Sequence, residues 1–154
     1  MRIRKATIKD FEKLKKIKIL SKKEELKYSE TLKPIVETKH IYYEYLRLDL
    51  TKPNRAIFIA EEDNKVTGII LCKFFKPLRI VKHNIKGHIS NLYILKEYRK
   101  KGVAKKLVKE AIEWLKKQNV PHISLEIHTE NLPAQSLYHN FGFKNYTIKM
   151  TKRT

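Results

Sequence analysis

The 154 residues carry 35 Lys+Arg against 16 Asp+Glu, a formal net charge of +19 at pH 7, with 42% apolar content. That suits one folded domain over 1–154 and excludes a disordered chain. No run of roughly eighteen apolar residues exists and the opening MRIRKATIKD lacks an apolar signal core, so membrane spanning and secretion are not expected and a cytoplasmic location is.

In chain order, "RIRKAT" (2–7) alternates as an opening strand does, and "DFEKLKKIKIL" places Phe11, Leu14 and Ile17 at three-residue steps, which predicts a helix with Asp10 as N-cap. The stretch 21–54 is less patterned; "KPIVETKHIYYEYLRLDL" reads as a helix between Pro34 and Pro53, rich in tyrosine at 42, 43 and 45. "RAIFIAEEDNKVTGIILCKFF" predicts two antiparallel strands joined at the polar turn Glu62–Lys65, with the single cysteine, Cys72, packed as a small core hydrophobe. A basic loop (76–87) leads to the strand "HISNLYIL". Val103, Leu107, Ala111 and Leu115 then recur every four residues, a helix with one face on a sheet and a lysine-rich face outside. Glu113 and Lys117 stand at i,i+4 spacing on its charged side. "NVPHISLEIH" predicts a strand, "NLPAQSLYHNFGF" a short helix capped by Asn131 and ended at Gly142, and "FKNYTIKM" a last strand. The order β-α-α-β-β-β-α-β-α-β defines an α+β domain with one mixed central sheet.

The stretch "EYRKKGVAKKLVKEAI" (97–112) is a cationic loop that runs straight into a helix. A helix start offers unpaired N–H groups and about half a positive charge, which together hold anions. Gly102 lets backbone approach a ligand, Ala104 keeps the first turn small, and Arg99, Lys100, Lys101 and Lys105 add charge, a combination suited to a diphosphate. It is neither a Walker loop nor a G-x-G-x-x-G fingerprint. Six histidines and one cysteine show no metal-ligand spacing, so no metal is expected.

"LYILKEYRKKGVAKKLVKEAI" resembles motif A of the GNAT superfamily of acyl-CoA-dependent N-acyltransferases, [QR]-x-x-G-x-[GA], matched by Arg99, Gly102 and Ala104. "NLPAQSLYHNFGF" resembles the second family motif, N-x-x-A-x-x-L-Y-x-x-x-G-F, through Asn131, Ala134, Leu137, Tyr138, Gly142 and Phe143. The likeness is firm over 88–150, while 21–54 carries no signature. It implies a GNAT-like fold with helices on both sheet faces, and makes the anion the pyrophosphate of acetyl-CoA, held by backbone N–H groups of Lys100, Lys101, Gly102, Val103, Ala104 and Lys105. The resemblance also places Leu92, Tyr93 and Ile94 beside the pantetheine arm, with Arg99 and Asn131 among the cofactor contacts. Tyr138 matches the tyrosine that protonates the CoA thiolate; its helical face with Ala134, Leu137 and Phe141 equally suits a core residue. Glu126 stands five before Asn131, as does the proton acceptor of the GNAT enzymes that acetylate ribosomal-protein N-termini, and its strand alternation turns it to the polar side. His88 and His128 are alternative bases.

The implied reaction is direct attack of a primary amine on acetyl-CoA in a ternary complex. The segment 88–108 is similar to protein N-terminal acetyltransferases, which favours a peptide α-amine or a protein lysine; polyamines and aminoglycoside-like amines are alternatives that the +19 field would repel. The tyrosines at 42, 43 and 45 stand either in an amine pocket or on a core-facing stripe. A nucleic-acid or ribosome-binding module would use the same charge but has no RNP, KH or C₂H₂ motif behind it. An inactive CoA-binding protein and a homodimer are also compatible with the sequence. Two positions depart from the family pattern: Lys100, where many relatives have glycine, and Leu132–Pro133 after Asn131.

Overall fold

The hairpin expected at 55–75 is the middle of the sheet: β2 (Arg55–Glu62) and β3 (Lys65–Phe75) pair antiparallel through a turn at Asp63 and Asn64. Their φ values of 49° and 60° are the consecutive left-handed pair that a two-residue hairpin loop requires. A computed structural model of the chain describes residues 1–29, 32–78, 80 and 85–152. Much of the basic loop at 76–87, namely residue 79 and residues 81–84, lies outside them. β1 (Arg2–Lys5) adds to β2, β4 (Lys86–Ile94) adds to β3, and β5 (Ile123–Ser124) adds parallel to β4, giving the order β1-β2-β3-β4-β5.

Two apolar layers sandwich this sheet because β2 and β3 are apolar on both faces. On one side α3 (Val103–Lys117) buries Val103, Leu107, Val108, Ala111 and Leu115, the expected four-residue recurrence, together with Tyr138 of α4 (Leu132–His139). On the other side α1 (Phe11–Glu25) and α2 (Ile35–Thr51) bury Leu14, Ile17 and Leu46 against Ile57, Ile59, Ile69 and Tyr93. Gly68 marks the closest approach in β3, since a Cβ there would meet Ile94 Cδ1 at 2.6 Å and Leu107 Cδ1 at 3.2 Å. Cys72 is fully buried, its Sγ 3.7 Å from the Ala56 carbonyl and its thiol pushed by burial up to about 12, as a core hydrophobe should be. Glu113 pairs with Lys116 at 3.0 Å, one residue short of the Lys117 contact expected from spacing.

Three sequence expectations are corrected. The last strand does not form: residues 143–150 carry no regular structure, and Tyr146, Ile148 and Met150 are each nearly 90% exposed. The alternation of that segment supplies a face but no ladder: no described strand pairs with its backbone, although the Tyr146 ring meets His122, next to β5, edge-on at 6.3 Å. The strand expected at 119–128 shrinks to the ladder Ile123–Ser124, although Ile123, Leu125 and Ile127 still alternate as half-buried with exposed Ser124, Glu126 and His128. Asp10 sits at the start of α1 but does not cap it; its carboxylate accepts from the Thr7 amide at 2.8 Å and from Arg4 at 2.7 and 2.9 Å.

The Arg4 guanidinium, which also meets Glu61 at 3.0 Å, holds the buried Asp10 carboxyl down at about 2. Because the folded value lies below the ordinary 3.8, the stabilisation is fully present above that value and is lost as pH falls from about 4 to about 2. Asp10→Asn should therefore cost about 2 kcal/mol in urea unfolding at pH 7, and the two proteins should converge near pH 2.

Candidate active site

The open end of the sheet is set by how β4 leaves it. Asn91, with φ 52°, is a left-handed residue inside a strand. Opposite it the register slips, for Ile69 pairs Tyr93 whereas Leu71 pairs Ser90. The result is a bulge that switches the strand's faces: Ile89 joins the α3-side core before it, and Leu92 and Ile94 join that core after it. β5 meets β4 only at Gly87–Ile123 and His88–Ser124, so from Ile89 to Ile94 the outer edge of β4 has no strand partner among the described residues. The sheet is split along this line.

The start of α3 faces the same end. Leu95 closes β4 by donating to the Thr67 carbonyl at 2.9 Å, and a 3-10 turn at Lys96–Tyr98 carries the chain to the helix. Tyr98 and Arg99 donate backward to Leu95 and Lys96, and Lys106 makes the first helical bond, to the Gly102 carbonyl at 3.2 Å. Between them the N–H groups of Lys100, Lys101, Gly102, Val103, Ala104 and Lys105 donate to no described backbone acceptor. Lys100 and Gly102 are both left-handed, at φ 60° and 75°, an alternation that turns successive amides to one side. A Cβ at Gly102 would meet nothing within 4 Å, so the mouth of the helix is open, rimmed by the exposed side chains of Lys100, Lys101 and Lys105.

Arg99 stands beside this mouth with its side chain committed elsewhere. Nε donates to the Ile94 carbonyl at 2.9 Å, Nη2 reaches Glu24 at 2.7 Å, and the guanidinium lies 5.6 Å from the Tyr93 ring centre. It thus ties the end of α1 to the end of β4 and to the start of the loop that leads into α3. Nothing in the periodicity of the sequence singled out Glu24.

Tyr138 is 6% exposed, in the cluster that contains Ile94 and Val103, with its ring edge-on to Phe143 at 5.5 Å. Burial raises its hydroxyl well above the usual tyrosine range, so it remains protonated through neutral pH. Asn131 caps α4, its side-chain oxygen accepting from the Ala134 amide at 3.3 Å, with Pro133 fitted into the first turn.

On the opposite face of the split, His88 Nδ1 is 3.2 Å from Ser124 Oγ, which donates to the Gly87 carbonyl. Burial and then Lys73 lower His88 from its ordinary value, with Glu126 pulling it back up. Glu126 is exposed on that side, and His128, two residues on, stacks on Tyr28 at 5.2 Å. None of the three α2 tyrosines is buried: Tyr43 lies under Lys15 and Lys39, Tyr42 under Lys22, and Tyr45 is 53% exposed. Tyr43 and Phe11 line a groove between α1 and α2, not a core stripe. Among the described residues no group of three His, Cys, Asp or Glu side chains is gathered as a metal site, and no helix is long and apolar enough to cross a membrane.

A mixed sheet split between its last two parallel strands, with an amide-rich helix mouth at the split, is the acyl-CoA N-acyltransferase fold. A solved predicted acetyltransferase with acetyl-CoA, from Clostridium acetobutylicum, shares that fold at TM-score 0.77 over 99% of this chain and 95% of its own, with 23% identity. The chain itself belongs to the Acetyltransferase (GNAT) family, whose sequence profile matches residues 22–143. An N-alpha-acetyltransferase of Saccharolobus solfataricus is 33% identical over 98 residues, 60% of this chain and 59% of that protein. Another, of Sulfurisphaera tokodaii, is 28% identical over 152 residues, covering 96% of this chain and 82% of the relative. The match thus spans about three fifths of the first relative's length and about four fifths of the second's.

Proposed function

We propose that this protein transfers the acetyl group of acetyl-CoA to the α-amine of a peptide or protein N-terminus. The observation that carries the reading is the run of backbone N–H groups from Lys100 to Lys105 that lack described backbone acceptors, at the end of the open β4 edge. Such donors suit a pyrophosphate, whose oxygens need several fixed hydrogen bonds and no particular side chain. Arg99 contributes by holding the loop, and Asn131 by fixing the start of α4 next to the same ligand. The backbone of Leu92, Tyr93 and Ile94 flanks the pantetheine arm and polarises the thioester carbonyl.

In the reaction the amine nitrogen attacks the thioester carbon, so an N–C bond forms and the C–S bond breaks. Glu126 takes the proton the amine must lose, directly or through water, and Tyr138 gives its proton to the departing sulfur. A base on the α1–α2 face and an acid on the α3–α4 side place the two proton transfers on opposite sides of the split, as a direct displacement needs. No acyl-enzyme is required, and Cys72 is too deeply buried to form one. The acceptor class is supported by the similarity to N-alpha-acetyltransferases and by charge: a peptide terminus brings one positive charge to a +19 surface, whereas a polyamine brings several.

The test is a panel of N-terminal peptides, lysine-only peptides with blocked termini, polyamines and aminoglycosides, scored by acetyl-CoA-dependent CoA release and by mass shift. Acetylation at the peptide α-amine is the expected result; release only with polyamines or aminoglycosides moves the acceptor to small molecules, and no release with any amine refutes the enzyme reading. Glu126→Gln is expected to lower kcat about a hundredfold at neutral pH. An unchanged kcat returns Glu126 to an ordinary surface carboxylate and moves the base to His88.

A further inference from the structure

The mechanism above leaves unused a lysine that is almost fully enclosed. Lys18 of α1 is 4% exposed, and its Nζ donates to Asn91 Oδ1 at 3.0 Å, across 73 residues of sequence. Burying an ammonium costs several kcal/mol unless it is well paired, so a leucine or methionine would pack here at lower cost. Asp49 is the nearest opposite charge, but it lies 4.0 Å away and is already engaged by Arg55 at 2.7 Å. The closest partner of the ammonium is therefore the side chain of Asn91.

Asn91 is the left-handed residue of the β4 bulge. Asparagine enters that conformation more readily than other non-glycine residues, yet extended backbone is still its preference in a strand. A hydrogen bond from a rigid helix to its side chain biases the choice. The bulge in turn decides which way the next three residues point: Leu92 and Ile94 pack toward α3, and Tyr93 packs toward α1 and α2. Without the extra residue a regular alternation from Ile89 would put Leu92 and Ile94 on the α1–α2 side and exchange Tyr93 with them.

We propose that Lys18 is a positioning residue for acetyl transfer, holding Asn91 in the bulge conformation and thereby aiming the Leu92–Ile94 backbone along the open edge of β4. This rests on the proposed role of that backbone beside the thioester. It gives the charge a purpose that packing alone does not, and it makes helix α1, on the acceptor side, part of the donor site's geometry.

The test uses Lys18→Met, which keeps the length and volume of the side chain without its charge, alone and combined with Asn91→Gly. Glycine takes φ near 52° with no tether, so it should restore what the lysine supplied. Lys18→Met is expected to lower kcat about tenfold to a hundredfold, with KM for the peptide changed less than about threefold, as misplacement of the reacting groups does. The Leu92, Tyr93 and Ile94 amide resonances of ligand-free, ¹⁵N-labelled protein should move in Lys18→Met and return in the double variant, together with most of the turnover. A Lys18→Met protein with wild-type kcat overturns the proposal. So does a loss of kcat that Asn91→Gly fails to restore, or a loss of folding in the melting curve that accounts for the whole effect. Failure of the wild type itself to bind acetyl-CoA is a different result, which removes the functional reading and this inference with it.

Discussion

Gly102→Glu is expected to abolish the rise in melting temperature that acetyl-CoA gives the wild-type protein. At a ligand concentration about a hundred times Kd, binding stabilises a protein by about 2.7 kcal/mol, which for a chain of this size raises Tm by roughly 5–10 °C. The new carboxylate would stand at the mouth of α3, where the amides of Lys100 to Lys105 lack described backbone acceptors, and would satisfy those donors itself while repelling phosphate. Any side chain at φ 75° also costs about 1–2 kcal/mol, so the unliganded variant should melt a few degrees lower. Gly102→Ala separates the two effects: its Cβ meets nothing within 4 Å, so it carries the strain without the charge and should keep most of the ligand shift. A Gly102→Glu protein whose Tm still rises as far as the wild type's would show that the cofactor's phosphates lie elsewhere.

Tyr138→Phe is expected to lower kcat about a hundredfold or more and to leave KM for acetyl-CoA within a few fold. The substitution keeps the buried ring and its edge-on contact with Phe143, and it removes a hydroxyl that makes no hydrogen bond to another described residue. Stability should therefore hardly change, which separates a chemical role from a packing one. Because burial raises the Tyr138 hydroxyl above its ordinary value, the acid form persists throughout the neutral range, and a rate loss caused by its ionisation should appear only in strong alkali. Unchanged turnover in the phenylalanine variant would make Tyr138 a core residue and leave the departing thiolate to solvent.

Lys100 illustrates how a departure from the family pattern becomes intelligible in three dimensions. It occupies φ 60°, where a side chain is strained and glycine is not, which gives a backbone reason for a glycine at this position. The lysine accepts that strain and adds an exposed charge to the rim of the open α3 start.

The sequence by itself determined the elements whose signals are local. Val103, Leu107, Ala111 and Leu115 announced the face of α3, Asp63–Asn64 the central hairpin turn, and the spacing of Arg99, Gly102 and Ala104 against Asn131 and Tyr138 the family. The helix face, the turn and each motif taken singly depend on residues within a turn or two of one another, where side-chain periodicity and φ preference act directly. Only the tertiary structure decided the rest. The alternation of 143–150 could not say whether its backbone would pair, and it pairs with no described strand even though Tyr146 reaches His122 beside β5. Arg99 read as an anion contact, but Glu24, 75 residues away, and the Ile94 carbonyl take its guanidinium. Lys18 carries no local mark that separates it from the other lysines of its helix, and only the fold encloses it against Asn91. Pairing and burial are set by which surfaces meet, and elements remote in sequence meet only once the whole sheet has formed.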